Sequence, residues 1–207
     1  GRTFTFPIPT YNVTESFFHS PIIDSIMQMT GRYGTPYFSN FISSDLKPED
    51  VRSMCCRLRL QTDQLIKRGG GLFGSNPLTG SIGVVTINLP RIGFKAINEE
   101  DFLGRVTELA ELARDSLLIK RDILEQLIRN GLYPYSKFYL RAVHQRFGKY
   151  WANHFCTIGI IGMHEALLNF MGKGIETPEG QEFAVKVMRH LQSLLLRFQE
   201  ETGQLFN

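Results

Sequence analysis

The chain is poor in cysteine, has a single tryptophan, carries no surplus of one charge and contains no long apolar run. Three cysteines in 207 residues, two of them adjacent, make no disulfide framework, and neighbours in sequence rarely bond to each other because the ring is strained. A reducing, cytoplasmic setting is the expectation. No apolar run reaches the roughly 18 residues of a membrane span, and no signal peptide is visible, so no membrane partner is expected. Lys and Arg number 23 against 20 Asp and Glu, a formal net charge of +3. These basic residues are interspersed with acids rather than gathered on a stripe, which argues against a nucleic acid polymer as partner. A zinc site needs about four ligands at suitable spacing. Cys55, Cys56 and the distant Cys156 offer no CxxC, so no metal is expected in this segment. The chain opens Gly1-Arg2-Thr3, and Thr3 to Ile8 already read as a short strand, so a segment of a longer polypeptide is expected.

What is present is an ordinary globular composition, 43% hydrophobic and 21% charged, enough for one large domain or a piece of one. Ser20-Pro21 followed by Ile22, Ile23, Ile26 and Met27 reads as a helix closed by Gly31. Tyr37 to Ile42 reads as a strand, Ser43 to Pro48 as a turn or cap, and Met54 to Leu60 as strand or loop. Residues 69–80 form a glycine-rich loop. Ile82 to Leu89 is β-branched and free of charge, the pattern of a strand buried on both faces, and Pro90 ends it. Asn98-Glu99-Glu100-Asp101 opens a long helix with Phe102, Val106, Leu109, Ala113, Leu117, Leu124, Leu127 and Ile128 at helical spacing, closed by Gly131. Phe155 to Ile161 reads as a second buried strand, and Gly162 turns into a helix over Met163–Met171. Thr177-Pro178-Glu179 starts the last helix, whose stripe is Phe183, Val187, Leu191, Leu194, Leu195 and Phe198, with Gly203 at its end. Buried strands alternating with long helices define an α/β class with mainly parallel strands.

The chemistry-bearing candidates are few. Cys55 and Cys56 stand between Arg52 and Arg57, and cationic neighbours lower a thiol's pKa and raise its reactivity. The plain alternative is a pair of small buried hydrophobes, although adjacent residues on a strand point to opposite faces. A thiolate nucleophile needs a base, and the spacing of His19, His144, His154, His164 and His190 identifies none. Gly69-Gly70-Gly71-Leu72-Phe73-Gly74 is neither a P-loop nor GxGxxG. With Arg68, its amides suit a phosphate, and a turn between elements explains it equally well. Asn153 with His154 reads as a structural polar pair. Glu165 at a helix start answers the helix dipole, and Lys and Glu on the long helices read as solvated faces.

Several of these stretches occur in one order: Thr5-Phe6-Pro7-Ile8-Pro9-Thr10-Tyr11-Asn12, Tyr33 to Phe41, Arg52 to Leu58, Arg68 to Gly74, Gly80 to Arg91, and Asn153-His154-Phe155-Cys156-Thr157-Ile158-Gly159. The set resembles the catalytic subunit of the anaerobic, oxygen-sensitive (class III) ribonucleoside-triphosphate reductases, from the first residue to at least Glu165. The resemblance implies that residues 1–207 are a single middle segment of the catalytic domain. That domain is a ten-stranded α/β barrel of the glycyl-radical type with long flanking helices. A cysteine sits at the tip of a loop inside the barrel.

The chemistry implied is radical reduction of a ribonucleoside triphosphate. A glycyl radical elsewhere in the subunit takes a hydrogen atom from the loop cysteine, and the thiyl radical takes the ribose 3′ hydrogen. The family has a methionine two residues before that cysteine and an arginine directly after it. Met54, Cys56 and Arg57 match, so the thiyl role falls on Cys56. Many relatives have one cysteine here. Cys55 is extra, either packing behind the loop or taking part in a thiol-based reduction in place of formate. Met54, Ser81 and Asn88 fall at substrate-side positions. Ser81 stands where many relatives carry asparagine, and Asn88 belongs to the matching Asn-Leu-Pro-Arg, where it also suits a structural polar role.

No cofactor is implied within this segment. The glycyl radical, zinc and allosteric ATP or deoxynucleotide belong to the full-length enzyme. Its partners would be a formate or thiol reductant, a radical-SAM activating enzyme and a second subunit. The segment alone should be inactive. Two other readings stand beside this one: a non-catalytic scaffold derived from the same barrel, and a different glycyl-radical enzyme such as a formate acyltransferase.

Overall fold

The computed structural model describes residues 9–42, 51–53, 59–61 and 78–207, with the backbone path alone for 51–53 and 59–61. The strand read at 3–8, the turn at 43–48 and most of the glycine-rich loop lie outside the described residues. The chain divides into two compact units, Gly1–Gly71 and Leu72–Asn207.

In the first unit, β1 (Thr10–Val13) and β2 (Tyr37–Asn40) pair in parallel, with Tyr11 opposite Phe38. A single 3₁₀ turn at Glu15–His19 and helix α1 (Ile23–Tyr33) make the crossover. Tyr11, Phe17 and Phe38 bring their rings together at 5.9–6.3 Å. Helix α1 runs past Gly31, which has no need to leave helical geometry. It stops at Gly34, whose φ of 67° closes the helix with a bond from its N–H to Thr30 O. The unit also contains a short antiparallel pair, β3 (Val51–Ser53) with β4 (Arg59–Gln61), in which Ser53 stands opposite Arg59.

The second unit is built on three parallel strands in the order β5 (Gly80–Asn88), β6 (His154–Ile161), β7 (Leu205–Phe206). Between β5 and β6 lie α2 (Leu89–Lys95), α3 (Glu99–Arg129), α4 (Pro134–Tyr139) and α5 (Arg141–Phe147). Between β6 and β7 lie α6 (Met163–Met171) and α7 (Pro178–Thr202). The long helices start where their caps dictate. Asn98 accepts Asp101 N–H at 2.8 Å, and Thr177 accepts Gly180 N–H at 3.1 Å with Pro178 just inside. Gly203, at a φ of 65°, ends α7.

One core joins the sheet to α2, α3, α6 and α7. Ile87 and Cys156 meet Phe102, Val106, Ala110 and Leu117 of α3 and Phe183, Val187, Leu191 and Phe198 of α7. The approach of α2 to α6 depends on Gly93, because a Cβ there would run into the backbone carbonyl of Ala166. Exposed ion pairs join α3 and α7 along this seam: Glu111 with Arg197 at 2.6 Å, Arg114 with Glu201 at 3.2 Å, and Glu99 with Lys186.

Two expectations change. β5 is not buried on both faces. Ile87 packs against helices, but Val84 is 55% exposed, and Ile161, which stands opposite Asn88 on β6, is 62% exposed. Helices of this unit cover one side of the sheet only, so the side bearing Val84, Thr86, Asn88, Thr157, Gly159 and Ile161 stays uncovered by them. Nor is Pro90 a bare terminator. Strand passes directly into α2, with Asn88 as cap and Pro90 in the first turn.

Candidate active site

Met54, Cys55, Cys56, Arg57 and the Gly69–Gly74 stretch lie outside the described residues. What the structure gives around the cysteines is their frame. β3 and β4, which flank the cysteines in sequence, are antiparallel, with Ser53 opposite Arg59.

Ser81 and Asn88 sit at opposite ends of β5. Parallel pairing aligns Ser81 with Phe155 and Gly83 with Cys156, so Ile82 is an extra residue, a β-bulge. The bulge turns the Ser81 hydroxyl back on the chain. Its oxygen accepts Gly83 N–H at 3.1 Å, and it donates to Gly83 O at 3.0 Å. It also lies 3.1 Å from Thr157 Oγ1 on β6. Thr157 donates in turn to Asn207 Oδ1 at 2.7 Å. Ser81 of β5, Thr157 of β6 and Asn207, the residue after β7, therefore meet on the helix-free side of the sheet. At the other end, Asn88 Oδ1 accepts Arg91 N–H at 3.2 Å, the cap of α2. The side chain of Asn88 thus has a structural bond whatever else it contacts.

Behind the same sheet lies a polar cluster that the sequence reading did not single out. The buried stripe of α3 runs Leu117, Arg121, Glu125, Ile128, with Arg121 only 2% and Glu125 only 4% exposed. Glu125 is therefore no solvated side chain. Arg121 donates to Trp151 O at 2.6 Å and to His154 O at 2.5 Å, and its Nη2 is 3.4 Å from Cys156 Sγ. Glu125 accepts Trp151 N–H at 2.7 Å and Tyr150 N–H at 3.2 Å. The two side chains bond the backbone of residues 150–154, where the chain enters β6. The signal was available: four-residue spacing placed both on the apolar stripe, where a charge implies a buried partner.

His154 and Asn153 are both buried, in keeping with a structural pair. The His154 ring stands edge-on to Trp151 at 4.9 Å. Burial, and then the Arg121 charge, push its pKa down from 6.5 to about 4. Unfolded chains therefore bind more protons than folded ones between about pH 4 and 6.5. The neutral ring's contribution is fully present above that window and is lost as pH falls through it. The loss is roughly 3 kcal/mol at 1.36 kcal/mol per unit. Chemical denaturation at pH 7 and pH 4.5 should show this slope, and His154→Gln should flatten it. An unchanged slope in the variant would assign the acid sensitivity to other groups.

Cys156 is fully buried in the apolar core, with the Arg121 guanidinium 3.4 Å from its sulfur. Glu165 stands in the first turn of α6, as read from the dipole. Among the described residues, no group of three His, Cys, Asp or Glu side chains is arranged to hold a metal ion, and no helix is long and apolar enough to cross a membrane.

A parallel sheet with helices packed on one side is the local architecture of an α/β barrel wall, seen here in part. Solved chains agree. An anaerobic ribonucleotide reductase from Thermotoga maritima, with citrate in its active site, superposes over 99% of this chain and 35% of its own length, with a TM-score of 0.61 and 23% identity. The same enzyme with dATP bound in its specificity site matches 62% of this chain and 22% of its own, with a TM-score of 0.51 and 26% identity. A Haemophilus influenzae anaerobic ribonucleoside-triphosphate reductase is 30% identical over 135 residues, 61% of this chain. The chain spans 19% of the length of that relative. The sequence model of the anaerobic ribonucleoside-triphosphate reductases matches residues 1–207, so the chain belongs to that family.

Proposed function

We propose that residues 1–207 are one segment of the catalytic barrel of a cytoplasmic oxidoreductase that converts ribonucleoside triphosphates to deoxyribonucleotides. The observation that carries this reading is the family match over the whole chain, residues 1–207. It favours the reductase over a scaffold or an acyltransferase.

In this reading Cys56 is the hydrogen-atom carrier. A glycyl radical in the full subunit supplies the unpaired electron, by taking the hydrogen atom of the Cys56 S–H bond. The Cys56 sulfur then takes the ribose 3′ hydrogen, the 2′ hydroxyl leaves as water with a proton, a formate or thiol reductant supplies two electrons and a proton goes to C2′, and Cys56 returns the hydrogen atom to C3′. Cys56 must reach this step as a thiol, so Arg52 and Arg57 serve phosphate or carboxylate groups rather than the sulfur. Met54, Ser81 and Asn88 line the substrate side. Cys55 either packs behind the loop or joins a thiol-based reduction.

The full-length protein would carry the zinc site and an allosteric site for ATP or deoxynucleotide. It would take its radical from a radical-SAM activating enzyme and work as a homodimer. Expression of the full-length protein with that activating enzyme, under anaerobic conditions, tests the reading. Deoxyribonucleotide should form from a ribonucleoside triphosphate in the presence of formate or a dithiol. If every ribonucleotide is returned unchanged by a protein that carries its glycyl radical, the reading is wrong.

A further inference from the structure

The Ser81 hydroxyl has more partners than a serine filling a strand requires, and their donor and acceptor roles restrict what it can do. Thr157 has a single hydroxyl proton and donates it to Asn207 Oδ1 at 2.7 Å. Thr157 therefore faces Ser81, at 3.1 Å, only as an acceptor. The single proton of Ser81 is held between Thr157 Oγ1 and the Gly83 carbonyl, 3.0 Å away. Of the two lone pairs on Ser81, one receives Gly83 N–H at 3.1 Å. One lone pair is left and no proton.

We propose that Thr157 and Asn207 are positioning residues that fix the Ser81 oxygen as a hydrogen-bond acceptor for a ligand hydroxyl on the helix-free side of the sheet. This rests on the reading of Ser81 as a substrate-side residue. A ribose, which has hydroxyl protons to give, satisfies that acceptor. A carboxylate, which only accepts, gains nothing from it, so Ser81 discriminates for the sugar and is indifferent to a formate-type reductant.

Three features make the arrangement a built one. Thr157 is 3% exposed, so its bonds to Ser81 and Asn207 are shielded from competing water. The backbone of Asn207 is fixed by its own sheet bonds, its N–H to Cys156 O at 3.1 Å and its carbonyl from Ile158 N–H at 2.8 Å. The bulge at Ile82 is what brings Ser81 Oγ onto both polar atoms of Gly83. Reversing the Asn207 amide would send the Thr157 proton to Ser81 and the Ser81 proton to Gly83 O. That orientation would fill the second lone pair of Ser81, so the acceptor role requires the Asn207 oxygen to face Thr157.

The experiment uses the full-length, activated protein and steady-state kinetics with Ser81→Ala, Thr157→Val and Thr157→Ser. The 2′-deoxy and 3′-deoxy analogues of the substrate serve as competitive inhibitors. Ser81→Ala and Thr157→Val should raise the KM for the ribonucleotide about tenfold, the usual size of one lost hydrogen bond. They should leave the KM for formate or dithiol unchanged, and Thr157→Ser should restore the parent value. The inhibition constant of the analogue that lacks the contacted hydroxyl should be unaffected by Ser81→Ala, while that of the other analogue rises about tenfold. Equal rises for both analogues, a changed reductant KM, or no change at all would overturn the proposal. Should Thr157→Val fail to fold, Ser81→Ala and Thr157→Ser still decide it. A wild-type protein that reduces no ribonucleotide fails the functional reading instead, which is a different result.

Discussion

Cys56→Ser in the full-length, activated protein is expected to lower deoxyribonucleotide formation at least about a thousandfold, a barrier increase of about 4 kcal/mol or more. Serine is nearly the same size as cysteine, so the segment between β3 and β4 keeps its length and its ends remain paired through Ser53 and Arg59. What changes is the bond to hydrogen. An O–H bond is much stronger than an S–H bond, so a carbon-centred radical cannot draw hydrogen from serine at a useful rate. The glycyl radical should still form in the variant, because it precedes this step, and its electron paramagnetic resonance signal should persist without turnover. Product formation near the parent rate would remove Cys56 from the mechanism. Cys55→Ser belongs in the same experiment. Loss of activity with a dithiol but not with formate assigns Cys55 to reduction, and parent-like activity with both assigns it to packing.

Arg121→Ala is expected to be the most destabilising substitution on the helical side of the sheet, at about 3 kcal/mol. The guanidinium donates to the carbonyls of Trp151 and His154; Trp151 O keeps a bond from His154 N–H at 3.0 Å, so the loss falls mainly on the buried His154 carbonyl, at roughly 1–3 kcal/mol. The truncated side chain also leaves a void between α3 and the start of β6. Arg121→Lys should fall between, because an ammonium on a flexible stem cannot reproduce the planar two-carbonyl fork. Thermal melting of the full-length protein measures both. A midpoint for Arg121→Ala within a degree of the parent would show that the 150–154 segment needs no clamp.

The legible parts of the fold were those where one local rule governs a whole element. Asn98 and Thr177 announced the long helices because an acceptor side chain must meet orphan N–H groups, and Gly203 announced an end because only glycine is at ease with positive φ. One helix the sequence did not disclose, α4, buries none of its own residues. α4 exposes Tyr135, Phe138 and Tyr139, so no apolar stripe marks it. α2 was hidden by Pro90, which reads as a strand terminator until Asn88 is seen as the cap before it. The one-sided burial of β5 was not legible either, since Val84 and Ile87 are equally apolar and only packing tells them apart. At the site, the family resemblance pointed to Ser81, but its partners Thr157 and Asn207 lie far along the chain. The Arg121 and Glu125 pair lay in view on an apolar stripe and was passed over because charges on long helices are usually wet.

The order of the strands has a consequence for how this polypeptide is made. β6 is the middle strand, and its neighbours are β5, separated from it by four helices, and β7, separated by two more. A ribosome therefore releases β5, then β6, and only after the whole of α7 the short strand that covers the far edge of β6. Until Leu205 and Phe206 emerge, Phe198 lacks its ring partner at 5.7 Å and that edge of β6 lacks a neighbour. Long-range parallel pairing of this kind forms slowly and leaves unpaired strand edges open to wrong associations. A nascent chain stalled before Leu205 should then be a better chaperone client than one released past Asn207.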